Sequence, residues 1–189
     1  MRTVGVIGLG NMGMGIAKNL LKAGFTRGYD LFEAKREELR GYGGVPCFSP
    51  AEVGDGAEVV FVMVMNGAQA LDVAFGENGL CKTMKPGSVL FLTATIGMGY
   101  AQQLAKGLQE YGIEMIDSGV SGGLSGAHNG TLTLMASGKK EVYDSCKDVM
   151  DAIASNPNHV GTEPGQGQVV KSCLQALIGA EFTATFELL

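Results

Sequence analysis

Hydrophobic residues recur along this chain with two periods. Val4 to Ile7 is a continuous apolar run, the pattern of a strand covered on both faces of a parallel sheet. Ile16, Ala17, Leu20 and Leu21 then recur at helical spacing. A second strand is expected over Arg27 to Phe32, and a charged, exposed helix over Glu33 to Tyr42, stopped by Gly43 and Gly44. Val45 to Phe48 reads as a short strand. Ser49-Pro50-Ala51-Glu52 is a capping box with proline at the first helical position. Val59 to Met65 is the most apolar stretch of this half and is predicted to be the central strand. A helix over Ala68 to Phe75, a buried strand over Ser88 to Thr93 and an amphipathic helix over Gly99 to Tyr111 follow. Ile113 to Asp117 is the next strand, with a glycine- and serine-rich loop, Ser118 to Gly123, at its end. Beyond it are predicted a strand over Thr131 to Ala136, one helix over Lys139 to Ala154 and a short extended piece at His159-Val160.

Between the first strand and the first helix lie Gly8-Leu9-Gly10-Asn11-Met12-Gly13, in G-x-G-x-x-G spacing. The first glycine permits a tight turn, the second lets a pyrophosphate approach the main chain, and the third lets helix and strand pack closely. The N–H groups at the helix start then face the phosphates. Such a motif is weak by itself in a chain with 30 glycines. Its setting of strand, helix, strand and then Asp30, at the distance of a ribose-binding carboxylate, makes it a dinucleotide site. The acid favours NAD over NADP, since its charge repels a 2′-phosphate. Lys35 and Arg36 a turn later keep NADP as the alternative. The fold class expected is α/β: a doubly wound, Rossmann-like, mostly parallel sheet over residues 1–163.

Residues 164–189 differ. Gly165 to Leu189 reads as one long helix carrying only Lys171, Glu181 and Glu187 as charges, with apolar residues over most of its circumference. Such a helix must be covered. The sheet can cover one side, so a following all-α domain or a second subunit is expected, and with it a homo-oligomer and a chain that is part of a longer protein.

Composition removes several classes. Of 189 residues, 46% are hydrophobic and 17% charged, and the net charge of −5 offers no basic face for nucleic acid. No apolar run has membrane-spanning length, and the chain enters a strand at once, so neither a membrane segment nor a signal peptide is expected. Cys47, Cys81, Cys146 and Cys173 form no C-x-x-C pair, and there are two histidines, so free thiols in a reducing cytoplasm and no metal site are the reading.

Lys171 is a lone charge in an apolar stretch, preceded by Gly165-Gln166-Gly167-Gln168. A lysine in poorly polar surroundings loses proton affinity and can serve as acid or base near neutrality. A lysine that reaches water from the helix edge would look the same.

Gly8 to Gly13, Asn19 to Gly24, Asp117-Ser118-Gly119-Val120-Ser121-Gly122-Gly123 and Gly165-Gln166-Gly167 before Lys171 together resemble the β-hydroxyacid dehydrogenases, in order and with family-like spacing. Met65 to Ala70 and Phe75 to Gly79 look most like the L-threonate dehydrogenase branch. The resemblance implies that Gly8, Leu9, Gly10, Asn11, Met12, Gly13 and Asp30 hold NAD, with Met65 and Asn66 along it and Thr95 at its nicotinamide end. It implies that Ser121, Gly122 and Gly123, with Thr95 and Gln175, hold a small hydroxy acid. Lys171 would take the 3-hydroxyl proton while the hydride leaves that carbon. The sequence departs from the family where Gln175 replaces the usual Asn, Leu174 replaces a polar residue, and Ala94-Thr95 replaces Ser-Thr. The alternatives are an NADPH-dependent aldehyde or imine reductase and a catalytically silent nucleotide-binding module.

Overall fold

The computed structural model describes residues 2–188. The described chain alternates strands and helices: β1 Thr3–Ile7, α1 Asn11–Ala23, β2 Phe25–Tyr29, α2 Glu33–Gly41, β3 Val45–Pro46, α3 Pro50–Gly54, β4 Val59–Val62, α4 Gly67–Phe75, β5 Val89–Leu92 and α5 Met98–Gln109. β6 Glu114–Ser121, α6 Gly123–Asn129, β7 Leu132–Ser137, α7 Lys140–Ser145, α8 Lys147–Ile153, β8 Ala154–Gly161 and α9 Gln166–Glu187 complete it. The strands form one sheet in the order β3-β2-β1-β4-β5-β6-β7-β8. All neighbours are parallel except β6 and β7. The first six strands have the doubly wound order, with its switch point between β1 and β4.

The apolar runs are explained by two cores, one on each face. Val59 and Phe61 join Val4, Val6 and Phe91 under α1, whereas Val60 and Val62 join Ile7, Leu90 and Leu92 under α4 and α5. Successive strand residues point to opposite faces, so a strand with two covered faces must be apolar throughout. Phe61 and Phe91 sit opposite each other in register and stack with centroids 4.7 Å apart. Burying each such side chain stabilises the fold by about 1.5–3 kcal/mol.

Several expected boundaries shift. The second strand ends at Tyr29, which leaves Asp30 just beyond it, and the central strand ends at Val62, so Met63 to Met65 form a loop. The segment expected as a loop after Asp117 continues as strand to Ser121, buried from Asp117 through Val120, because β7 pairs with each of these residues and α9 lies across Gly119. A helix, α6, follows unannounced, built from poor helix formers. α1 supports it: the buried Asn19 amide donates to the carbonyls of Ala127 (2.8 Å) and His128 (3.1 Å) at its end. The helix expected over Lys139 to Ala154 breaks at Cys146, whose ψ of 9° leaves the helical range. The short piece at His159-Val160 is an eight-residue edge strand, a place where Pro157 is tolerated. The long helix forms as expected, its last predicted residue, Leu189, lying outside the described residues. Its buried positions, however, are Gly167 and Gln168, while Leu177, Phe182, Phe186 and Leu188 are exposed.

All four cysteines are free; Cys47, Cys81 and Cys146 are buried and Cys173 exposed. Burial pushes the Cys47 and Cys81 thiols up to about 11, which leaves them unreactive at neutral pH. No described helix is long and apolar enough to cross a membrane. Among the described residues no His, Cys, Asp and Glu side chains gather into a metal-sized cluster.

Candidate active site

The switch point opens into a cleft of about 590 Å³. Gly8 and Gly10 after β1, Asp30 after β2, and Met63, Val64 and Met65 after β4 line it. Gly8 has φ of 86°, and a Cβ there would strike the carbonyl oxygen of Met63. A Cβ on Gly13 would strike the carbonyl oxygen of Gly8, so α1 presses against the turn that leads into it. A Cβ on Gly10 would meet nothing within 4 Å, since its bare Cα faces outward. The first turn of α1 has neither a side-chain cap nor an acidic residue. Its N–H groups and the positive helix end therefore suit an added anion.

Asp30 is fastened to this turn. One carboxylate oxygen accepts from the Leu9 N–H at 2.7 Å and the other from the Phe32 N–H at 2.9 Å. The Leu9 side chain is fully buried in the core, so its part in the site is that N–H. Asn11 is exposed and Met12 half-buried at the helix start. Met65 is 85% exposed. Asn66 caps α4, its side-chain oxygen accepting from the Gln69 N–H at 2.9 Å. The two cations that left NADP open are engaged within the protein: Lys35 Nζ meets Glu38 at 2.7 Å, and Arg36 Nη1 donates to the Asp30 carbonyl at 2.6 Å. The charged residues lining the cleft are three acids, Asp30, Asp72 and Glu77, against Lys35.

The remaining predicted residues lie beyond β5 and β6 and on α9, outside the lining of that cleft. Ser121 ends β6, and Gly122 and Gly123 turn into α6, exposed with φ of 121° and 59°. Thr95 is exposed in the loop after β5. Lys171 lies across β6: a Cβ on Gly119 would sit 2.5 Å from the lysine's own Cβ. Ser121 belongs to the same strand face as Gly119. Burial of the lysine holds its pKa below the ordinary range, and no charged neighbour contributes. Gln175, one turn further along α9, is exposed.

Sequence reasoning passed over two residues here. Asp117 is fully buried on β6 and Gln168 fully buried at the start of α9. Their amide and carboxylate meet at 2.6 Å. The available signal was an acid at the end of an apolar run and a glutamine between glycines and valines.

A family profile described as the NAD binding domain of 6-phosphogluconate dehydrogenase matches residues 3–161. The L-threonate dehydrogenase of Cupriavidus necator is 42% identical over 187 residues. The chain belongs to the β-hydroxyacid dehydrogenase family. It carries that family's NAD(P)-binding domain, and the cleft, uncapped helix and fastened acid fit such a cofactor. The match with the C. necator protein takes in 98% of this chain and 63% of that relative. The structure titled 3-hydroxyisobutyrate dehydrogenase from Salmonella typhimurium superposes with a TM-score of 0.92 at 36% identity, over 100% of this chain and 66% of that one. The family member here therefore spans about two thirds of the length of these relatives. A Streptomyces aurantiacus imine reductase shares the fold, with a TM-score of 0.90 at 19% identity, over 99% of this chain and 65% of that one.

Proposed function

We propose that the complete protein transfers a hydride between NAD and the hydroxyl-bearing carbon of a small hydroxy acid, with Lys171 as general acid/base. One observation carries this reading: a lysine desolvated without a charged neighbour, its stem laid over Gly119 two residues before Ser121. Bound NAD supplies the hydride acceptor. Lys171 accepts the hydroxyl proton in oxidation and returns it in reduction. Ser121 with the N–H groups of Gly122 and Gly123 binds the substrate carboxylate, and Thr95 orients the reacting end, with Gln175 offering an amide further along α9. Gly8 to Gly13 seat the pyrophosphate. Asp30 holds the adenosine ribose, and an acidic cleft whose nearby cations are already engaged favours NAD over NADP.

The relatives named L-threonate dehydrogenase and 3-hydroxyisobutyrate dehydrogenase support those two acids as first substrates to try. The test is an assay of both with NAD and with NADP, using the complete gene product and its Lys171→Ala variant. NAD-dependent oxidation of either acid that vanishes in the variant supports the reading; a variant retaining more than a tenth of wild-type activity ends it. The exposed Leu177, Phe182 and Phe186 on α9, with Leu188 just past its end, support a further all-α part of a longer protein or a second subunit packed there. Sedimentation of the complete protein and of a version with these four residues made polar distinguishes the two.

A further inference from the structure

Asp117 is the one charged residue among the described residues whose side chain is fully buried. The causes of its raised pKa are burial, opposed by the hydrogen bonds it accepts, with no cation among them. One oxygen accepts from the N–H groups of Gly165 and Gln168, both at 3.1 Å, and from Ser137 Oγ at 3.2 Å. The other accepts from the Gln168 amide at 2.6 Å. That amide also donates to the Ala94 carbonyl at 3.1 Å, and its oxygen accepts from Ile96 N–H at 2.8 Å and Gly97 N–H at 3.0 Å. Ser137 Oγ in turn accepts from Gly167 N–H at 2.9 Å. Both oxygens of the acid and all of the glutamine's hydrogen-bonding capacity are used.

A helix needs only a local Ser or Asp to cap its start. Here α9 begins at a glycine and makes no side-chain cap of its own. The anion at its positive end comes instead from β6, which costs the desolvation of a carboxylate. What that arrangement secures is location. β6, β7, the loop carrying Thr95 and the first turn of α9 are tied through three side chains, those of Asp117, Gln168 and Ser137, and Lys171 follows Gln168 by three residues. We propose that Asp117 and Gln168 are positioning residues that set the Lys171 amine against the Thr95 loop and the end of β6. The inference rests on Lys171 being the acid/base.

The experiment uses the complete protein with NAD and L-threonate or 3-hydroxyisobutyrate. Asp117→Asn keeps the shape but faces a donor toward the Gln168 amide. Adding Gln168→Glu gives that donor a carboxyl oxygen to meet, which restores the pairing with donor and acceptor exchanged. The single variant is expected to lose about thirtyfold or more in kcat, as displaced catalytic groups do. Its NAD affinity should stay within about threefold, since the cofactor cleft is separate. The double variant should regain about tenfold. Ser137→Ala, which removes one donor to Asp117 and the acceptor of the Gly167 N–H, should cost about three- to fivefold in kcat. A folded Asp117→Asn or Gln168→Leu variant with kcat within about threefold of wild type overturns the inference. So does a cluster in which both Asp117→Asn and Ser137→Ala fail to fold even with NAD, because it then serves folding alone. Lys171→Ala separates this from the parent reading: an active Lys171→Ala protein sinks the acid/base role, whereas a dead one beside an unimpaired Asp117→Asn sinks the positioning role only.

Discussion

Two helices begin with the same local chemistry and meet negative charge in opposite ways. Gly10 immediately precedes α1 and Gly165 precedes α9, and neither helix has a side-chain cap at its start. At α1 the carboxylate of Asp30 is held on the N–H of Leu9, before the helix, so the first turn carries no protein anion. At α9 the carboxylate of Asp117 accepts from Gly165 and from Gln168 in the first turn. An uncapped N-terminus is an offer to an anion. The first is suited to a ligand's phosphates; the second is already satisfied from within. One helix is thus arranged to bind, the other to be fixed in place, and the lysine sits on the fixed one.

That contrast can be broken most severely at Lys171. Its loss should lower hydride transfer by at least about a hundredfold while NAD affinity stays within twofold by titration calorimetry, since proton transfer contributes about 10²–10⁴. A parallel loss of NAD affinity would mean that the two helix starts are not functionally separate. Gly13→Ala attacks the other side. Its methyl would collide with the Gly8 carbonyl, so thermal melts should show about 1–3 kcal/mol of destabilisation together with weakened NAD binding. Full retention of both would show that the close packing of turn and helix is dispensable.

Asp30→Ala should weaken NAD by about tenfold, the scale of one charge-assisted hydrogen bond, and NADP by less. Equal losses would remove the argument for NAD. The smallest effect is in the pH profile. Desolvation favours the neutral form of Lys171, so its pKa lies below the ordinary lysine range. The oxidation rate should rise with pH through that lowered value, since the free amine is the base, and the reduction rate should fall through it. An oxidation limb at the ordinary lysine pKa would show that the amine is fully solvated while it works.

The amino-terminal half was legible because its signals are local. The run from Val4 to Ile7, the glycines at 8, 10 and 13 and the period from Ile16 to Leu21 each report on neighbours a few residues apart. β1, the turn and α1 follow from them. The region after Asp117 was misread because its structure is imposed from outside. Ser118 to Ser121 carry no strand-like alternation, and they are strand because β7 pairs with them residue by residue. Glycine at 119 is needed there because Lys171 lies across it. α6, made of Gly, Ser, His and Asn among others, has little helix propensity, and Asn19 of α1 closes its end. In α9 the apolar pattern gave the helix and its length, but not that the sheet takes Gly167 and Gln168.

By itself, then, the amino-acid order determined the doubly wound scaffold, the glycine turn at the start of α1 and the presence of a solitary lysine in an apolar helix, because pattern and spacing act over short distances along the chain. Only the folded molecule decided that the carboxylate of Asp117 caps a helix 48 residues away from it in sequence at Gly165, and that this cap ties the lysine's helix to two strands and a loop. Burying a charge is favourable only when donors converge on it from several elements, and such convergence exists in three dimensions alone.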